Sequence, residues 1–300
     1  MKILIAGSHG MIGSAVTRTL GDRGHEIVRL VRHAPGDGEL YWDPDGGRID
    51  ARGLEGFDAV IQLASMPWPM RWTEKAKQKM CANRSATYRL LADALAACAS
   101  KPHVLVCASG IGVYPPSDDE VITEETAPCS SFLSAVDREG ETATASAEAA
   151  GIRVVHLRIP PVVGGAALQR IGFQGGDGRQ WMSWVGLDEL PFIIEFTLTC
   201  EALSGPVNAV SPNPLRAAEF ATTARRALGQ KPGGTMPAWV VRIVLGEMGE
   251  EFVLASRRVQ PARLLAAGYR FHFPDLECAL RHEKEVVGAG LTSKTSLVPS

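Results

Sequence analysis

Gly7, Gly10 and Gly13 stand three residues apart in ILIAGSHGMIG, directly after the apolar run Ile3-Leu4-Ile5-Ala6. Glycines at this spacing let main chain come close to a ligand. The first permits a tight turn, the second admits a pyrophosphate beside the backbone, and the third lets the next helix pack on the strand. N–H groups at the start of that helix then face the phosphates, aided by the helix dipole. Further on, HEIVRLVRH places Arg32 at the end of a second apolar run. An acid there would accept hydrogen bonds from a ribose 2′-OH, whereas a guanidinium grips a 2′-phosphate in a bidentate manner. Glu26 lies too early to serve as that acid. NADP is therefore expected rather than NAD. His9, inside the glycine loop, reads as a surface residue.

Such a loop needs a strand before it and a helix after it, and the chain supplies both. Met1–Ala6, Ile27–Val31, Phe57–Leu63, Val104–Cys107 and Ile152–Arg158 read as short apolar strands. Gly13–Asp22, Lys75–Cys98 and Asp137–Ala150 read as helices between them. That alternation predicts an α/β fold, a doubly wound parallel sheet of Rossmann-like type, with nearly all-apolar buried strands. After residue 160 glycine and proline become frequent, and helices are expected at Ala217–Leu228, Ala238–Leu254 and Pro261–Ala267. The expected organisation is an NADP-binding domain over 1–160, to which some later segments return. A smaller mixed substrate lobe and C-terminal module follow over 161–290, then a tail over 291–300 that frays.

Composition narrows the class. A chain of 300 residues, 45% hydrophobic with net charge -2, has material for a core and no global basic field for nucleic acid or anionic membrane. Six cysteines at no paired spacing read as free thiols in a reducing compartment. The opening MKILIAG lacks a signal-peptide pattern, and no apolar run is long enough for a span, so a cytoplasmic location is expected. No metal-ligand cluster is visible; His103 and His156 read as strand-edge or core residues.

Several segments in order carry a resemblance. They are the glycine loop, FDAVIQLAS, RWTEKAKQKMCANRSAT, CASGIGVYPP, GDGRQWMSWVGLDEL, GPVNAVSPNPLRAAEF and RRVQPARLLAAGYRFHFPDLECAL. Over about residues 1–283 the chain resembles the extended short-chain dehydrogenase/reductase superfamily. Within it, it is similar to the NAD-dependent epimerase/dehydratase group and its atypical epimerase-family branch, which has a C-terminal module of its own. The resemblance implies that Ser8, Met11 and Ile12 join the three glycines around the pyrophosphate. It implies that Leu63, Ala64 and Ser65 line the adenine-ribose edge, and that Asn83 and Thr87 sit beside the cofactor. It further implies Ser109 near the nicotinamide and Arg158 on the cofactor's far side. It admits a homodimer built through helices of the sheet domain.

The superfamily's catalytic Tyr-x-x-x-Lys pair is absent. SSFLSAVDREGETATASAEAAG holds neither residue type, and Leu133 and Asp137 occupy the pair's positions. Neither can do that work: leucine has no proton to give, and an aspartate would repel the phosphates rather than support a phenolate. Gly140-Glu141 stands where the branch carries Trp-Glu, and Trp184-Val185-Gly186 where it carries Trp-Ile-His. Ser109 and Tyr114 are the candidate proton donors left, with loop packing as the alternative role for Tyr114. The acidic run Asp118-Asp119-Glu120 reads as a solvated loop. Trp68, Trp72, Trp181 and Trp184, with Met66, Met70 and Met182, read equally as walls of an apolar substrate pocket or as core. Arg71 and Arg179 could supply positive charge for an anionic small-molecule substrate. Three activities stay open: an NADP-dependent oxidoreductase or epimerase-like enzyme working by hydride transfer, a non-catalytic NADP-binding sensor or partner module, and a lyase or isomerase without net redox.

Overall fold

The computed structural model describes residues 1–66, 72–165, 174–231 and 234–288. Its central sheet has eight strands: β1 (Lys2–Ala6), β2 (Glu26–Val31), β3 (Glu39–Asp43), β4 (Arg48–Ile49), β5 (Ala59–Gln62), β6 (Val104–Gly110), β7 (Arg153–Ile159) and β8 (Gly205–Asn208). Their order is β8-β7-β6-β5-β1-β2-β3-β4, parallel throughout except for the short β3–β4 pair. From β1 the chain winds outward through β2 and β3, then crosses back to place β5 on the other side of β1. The loop after β1 therefore opens at the point where strand order reverses, the position at which open α/β sheets bind ligands.

Strand periodicity explains the two covered faces. Ile3 and Ile5 point to one side of β1 and Leu4 and Ala6 to the other, and all four are fully buried. Val16 and Leu20 of α1 (Met11–Asp22) join the first side, with Leu190, Ile193 and Ile194 of α5 (Leu190–Thr199). Tyr88, Leu91 and Leu95 of α2 (Glu74–Ala97) cover the second side, with Ala147 of α4 (Ala145–Ala149). Between them, α3 (Phe132–Thr142) starts at Ser131, whose hydroxyl accepts from the Ser134 N–H. The expected helix over Asp137–Ala150 is thus two helices. The break at Ala143-Thr144 lets the Thr144 hydroxyl reach Glu141 O and the buried His156 ring.

Beyond β7 the chain builds a smaller lobe from α6 (Ala217–Leu228), α7 (Ala238–Leu245) and α9 (Leu276–Gly288), while α8 (Ala262–Ala266) packs back on the sheet core through Leu264. The expected helix over Ala238–Leu254 stops at Leu245, because Gly246 turns the chain at φ 57°, and a π-helical turn covers Gly249–Leu254. Three segments of the 161–290 stretch belong with the sheet: α5 and α8 lie on its core and β8 forms its edge. Among the described residues no helix is long and apolar enough to cross a membrane. All six cysteines are free.

Helix α9 fastens the lobe through one buried acid. Glu283 is 2% exposed and accepts from the N–H groups of Gly165 and Asp188 at 3.3 and 3.0 Å. Burial, reinforced by the Asp188 charge, pushes its carboxyl up to about 7. Because the folded value lies above the unfolded one, the protonated acid contributes stability near pH 4.5, and that contribution is lost as pH rises to about 7. Glu283→Gln is therefore expected to be more stable than the parent by about 1–3 kcal/mol at pH 8, with no such gain at pH 4.5. Urea-denaturation midpoints of both proteins at the two pH values check this.

Candidate functional site

The glycine loop is shaped by contacts that exclude side chains. Gly7 sits at φ 82°, and a Cβ on it would come within 2.6 Å of Ala64 N. A Cβ on Gly13 would come within 2.0 Å of Gly7 O, so α1 packs against the turn only because that residue has none. Gly10 caps α1 with no side-chain hydrogen bond. The N–H groups of Met11, Ile12 and Gly13 open the helix, so no residue four positions back can serve them. They find no other partner among the described residues. Unpaired N–H groups on a 12-residue helix at the sheet's reversal point are what a pyrophosphate requires. Ser8 is buried beneath the loop, where its carbonyl accepts from Ser14 Oγ. Leu63, Ala64 and Ser65 follow β5 along the loop's other side, and Ala64 N donates to Gln62 Oε1.

Arg32, at the outer end of β2, is half-exposed and stands 3.7 Å from Asp45, an open ion pair of little strength. His9 and His33 meet edge to face at 5.9 Å between ring centres. With Glu39 they bring possible ligand atoms within 4.8 Å of one another, a juxtaposition across three elements that the sequence does not display. The loop and β2 thus present one cationic arginine and two imidazoles at the same edge.

A cavity of about 290 Å³ continues from Ile12, Leu63 and Ser65 under the small lobe. Its inner wall is the β6 end, Ser109 to Gly112, with Leu133 and Asp137 of α3. Its outer wall is Trp181, Met182, Phe252 and Arg257. Asp137 is 3% exposed, and its Oδ1 accepts from Arg84 Nη2 at 3.2 Å. Its Oδ2 accepts no hydrogen bond among the described residues and lies against Gly110 and Gly112, where a Cβ would come within 2.7 and 3.2 Å of it. Burial pushes the Asp137 carboxyl up to about 6 against the opposing pull of Arg84. Arg84 itself donates to Tyr88 Oη, which donates in turn to Ala108 O. Gly140 makes room for this arrangement: a Cβ there would lie 3.0 Å from Arg84 Cδ.

The other sequence candidates divide between this cavity and the core. Ser109 lines the cavity, but its hydroxyl proton is directed to Glu141 Oε1 at 2.7 Å. Tyr114 is wholly buried, donating to Asn208 Oδ1 and accepting from Arg158 Nη1, so it is a packing anchor and not a proton donor at the cavity. Arg158, expected on the cofactor's far side, instead makes two 2.9 Å bonds to Glu141 beneath the site and does not line the cavity. A buried guanidinium must be paired, and Glu141 does this. Trp184 is core, fully buried against Phe220 and Leu280, with its indole N–H on Asn213 O. Trp72 packs with Met80 and Leu133.

Trp181 does line the cavity, with Arg216 and Arg258 over its ring at 4.1 and 4.5 Å. Asp119, expected to be merely solvated, accepts from Trp181 Nε1 and Arg216. Arg179 points to solvent, paired with Asp177 on its own turn, so it brings no charge to the cavity. Asn83 lines a small recess with Ser65 and Arg84, and Thr87 is buried without a partner for its hydroxyl among the described residues. Trp68, Met70 and Arg71 lie outside the described residues. Arg84, Glu141, Glu251 and Arg257 escaped the sequence reading as site residues, because what distinguishes them is pairing across the fold.

Comparisons with known proteins agree with this geometry. The family described as NAD dependent epimerase/dehydratase matches residues 3–185, and a domain of unknown function (DUF1731) matches residues 236–283. The chain is 35% identical to the epimerase family protein MT2273 of Mycobacterium tuberculosis, covering 90% of this chain and 93% of that one. It superposes on the crystal structure of human epimerase family protein SDR39U1 (isoform 2) with NADPH at TM-score 0.85 and 31% identity, covering 95% and 99% of the two chains. A nucleoside-diphosphate sugar epimerase from Corynebacterium glutamicum superposes at TM-score 0.80 and 30% identity, covering 95% of this chain and 58% of that one.

Proposed function

We propose that this chain, which belongs to the NAD dependent epimerase/dehydratase family, is an NADPH-binding reductase of small carbonyl compounds in which Asp137 handles the proton. The N–H groups of Met11, Ile12 and Gly13 would hold the pyrophosphate, Arg32 the 2′-phosphate, and Leu63 to Ser65 the stretch leading into the cavity. The human relative crystallised with NADPH supports this choice of cofactor. When bound, the nicotinamide supplies or accepts a hydride.

The residues' part is the other half of the reaction. A carbonyl carbon that gains hydride leaves an oxygen that must gain a proton. The observation that carries the reading is Asp137 Oδ2, the oxygen of a buried residue that has no hydrogen-bond partner among the described residues, in the wall of the cavity. With its carboxyl pushed up to about 6, Asp137 holds a proton often enough to give it near neutrality and accepts one in the reverse direction. Arg84 fixes Oδ1 and so leaves Oδ2 for the substrate.

Two measurements test the reading. NADPH titrated against the protein should enhance nicotinamide fluorescence, and a panel of aldehydes, ketones and 2-oxo acids should then consume nicotinamide absorbance. Tight NADPH binding with no turnover across the panel would leave a binding module and end the reductase reading. For the cofactor, Arg32→Ala is expected to weaken NADPH about 10- to 100-fold, as loss of charge-assisted bonds requires, with NADH nearly unaffected. Equal weakening of both would show that Arg32 does not read the 2′-phosphate.

A further inference from the structure

The cavity contains a guanidinium with no direct ion-pair partner among the described residues. Three arginines in the chain are nine-tenths or more buried: Arg84, Arg158 and Arg257 among the described residues. Arg84 is paired with Asp137 and Arg158 with Glu141. Arg257, 6% exposed, has no carboxylate within ion-pairing distance among the described residues, and the undescribed stretches contain no aspartate or glutamate. Its Nε donates to Tyr114 O at 3.0 Å and its Nη1 to Glu251 O at 2.9 Å. Nη2 has no partner among the described residues. The half-buried Arg153 also lacks a carboxylate, but it spends its guanidinium on the carbonyls of Thr197, Leu198 and Leu203 and stands away from the cavity.

The two acids that share the cavity with Arg257 are otherwise engaged. Asp137 is held by Arg84. The Glu251 carboxylate caps α3, accepting from Ser131 Oγ, Phe132 N and Leu133 N. Burial disfavours the charged form of Arg257 and pulls its pKa down, outweighing the opposing pull of Cys129, Glu251 and Asp137, so an anion arriving in the cavity would relieve a standing penalty. Most of the remaining wall is apolar, with Ile12, Ile111, Met182 and Phe252 among its members.

From this juxtaposition we infer that the cavity takes an organic carboxylate, its apolar body against Met182 and Phe252 and its carboxylate on Arg257. The inference rests on reading the cavity as the substrate site and narrows the substrate to an anionic carbonyl compound. A carboxylate on Arg257 also adds negative charge near Asp137, which favours the protonated acid needed for reduction. The positive charge that the sequence suggested at Arg179 is thus supplied by Arg257, in the loop that follows the π-helical turn.

The test is binding rather than turnover. Protein saturated with NADP⁺ is titrated calorimetrically with pyruvate, 4-methyl-2-oxopentanoate and phenylpyruvate, each against its methyl ester. At least one acid is expected to bind ten-fold or more tightly than its ester. Arg257→Gln should abolish that preference while leaving the ester's affinity unchanged, and Arg257→Lys should restore part of it. Thermal melting and NADPH titration of each variant show whether it is folded; if Arg257→Gln is not, the acid-to-ester ratios of the parent and of Arg257→Lys decide. Acids binding no better than esters, or a preference that survives Arg257→Gln, would overturn the inference. Failure of the parent to bind NADPH would instead overturn the cofactor reading on which it rests.

Discussion

Asp137→Asn is expected to lower kcat/KM for carbonyl reduction by about 100-fold or more, the usual loss when a general acid is removed, while NADPH affinity stays within a factor of about two. The substitution keeps an oxygen that can accept from Arg84 and removes only the proton-carrying function and the charge. A pH profile separates this from a structural effect. The acid must be protonated to donate, so with its carboxyl at about 6 the reduction rate should fall about ten-fold per unit above that point. In the oxidative direction the carboxylate is the base, and the rate should rise across the same range. The Asn variant should lose both limbs. Because Arg84 is left without its counter-charge, the variant will also be less stable, and rates are compared per NADPH-competent molecule. Initial rates from pH 5 to 9 on the best substrate of the carbonyl panel give the answer. A limb near pH 6 that persists in Asp137→Asn would remove Asp137 from the reaction.

Asp137 also marks where sequence reading runs out. Its type and position were visible, but an aspartate is taken as ionised unless its surroundings are known. Here Arg84, fifty-three residues away, supplies a fixed partner, while burial works against the charge. No local pattern reports either fact. What was legible was local. The glycine spacing required a strand, a turn and a helix, and the fold provides them. The periodicity of Ala217–Leu228 gave a helix with those same bounds. Misses came where local signals are weak or overruled by tertiary contacts. Gly205–Asn208 holds glycine and proline yet pairs along β7 as an edge strand, a place that tolerates them. Trp181 and Trp184 share one short segment, and only the fold sends the first to the cavity and the second into the lobe's core. Arg158 sits at a strand end, as ligand-binding residues do, but is taken up by Glu141.

That last pairing yields the largest expected loss of stability. Glu141→Ala is expected to destabilise the fold by about 3–5 kcal/mol, because removing one partner strands a buried charge. For a chain of this size the loss corresponds to a fall in melting temperature of roughly 10 °C. Glu141 accepts from Arg158 Nε and Nη2 at 2.9 Å each and from Ser109 Oγ at 2.7 Å, so one substitution leaves three donors unsatisfied. Arg158 in turn supports Tyr114, whose hydroxyl ties β7 to Asn208 of β8. Arg179→Ala provides the contrast. It breaks an ion pair of similar length, to Asp177 at 2.8 Å, but a solvent-exposed one, and should leave the denaturation midpoint nearly unchanged. The acid limb gives a second signature. Burial acts first to raise the Glu141 carboxyl, but the Arg158 contacts overcome it and hold the group below its ordinary value. Its contribution is therefore present above the unfolded carboxyl range and lost as pH falls through the folded value. Chemical denaturation of the parent and Glu141→Ala from pH 7 downward should show the gap between them narrowing with acid. Replacing both partners, Glu141→Leu with Arg158→Met, should recover much of the loss by leaving no charge to bury. A double variant no more stable than Glu141→Ala would show that Ser109 and Tyr114, rather than the stranded guanidinium, carry the cost.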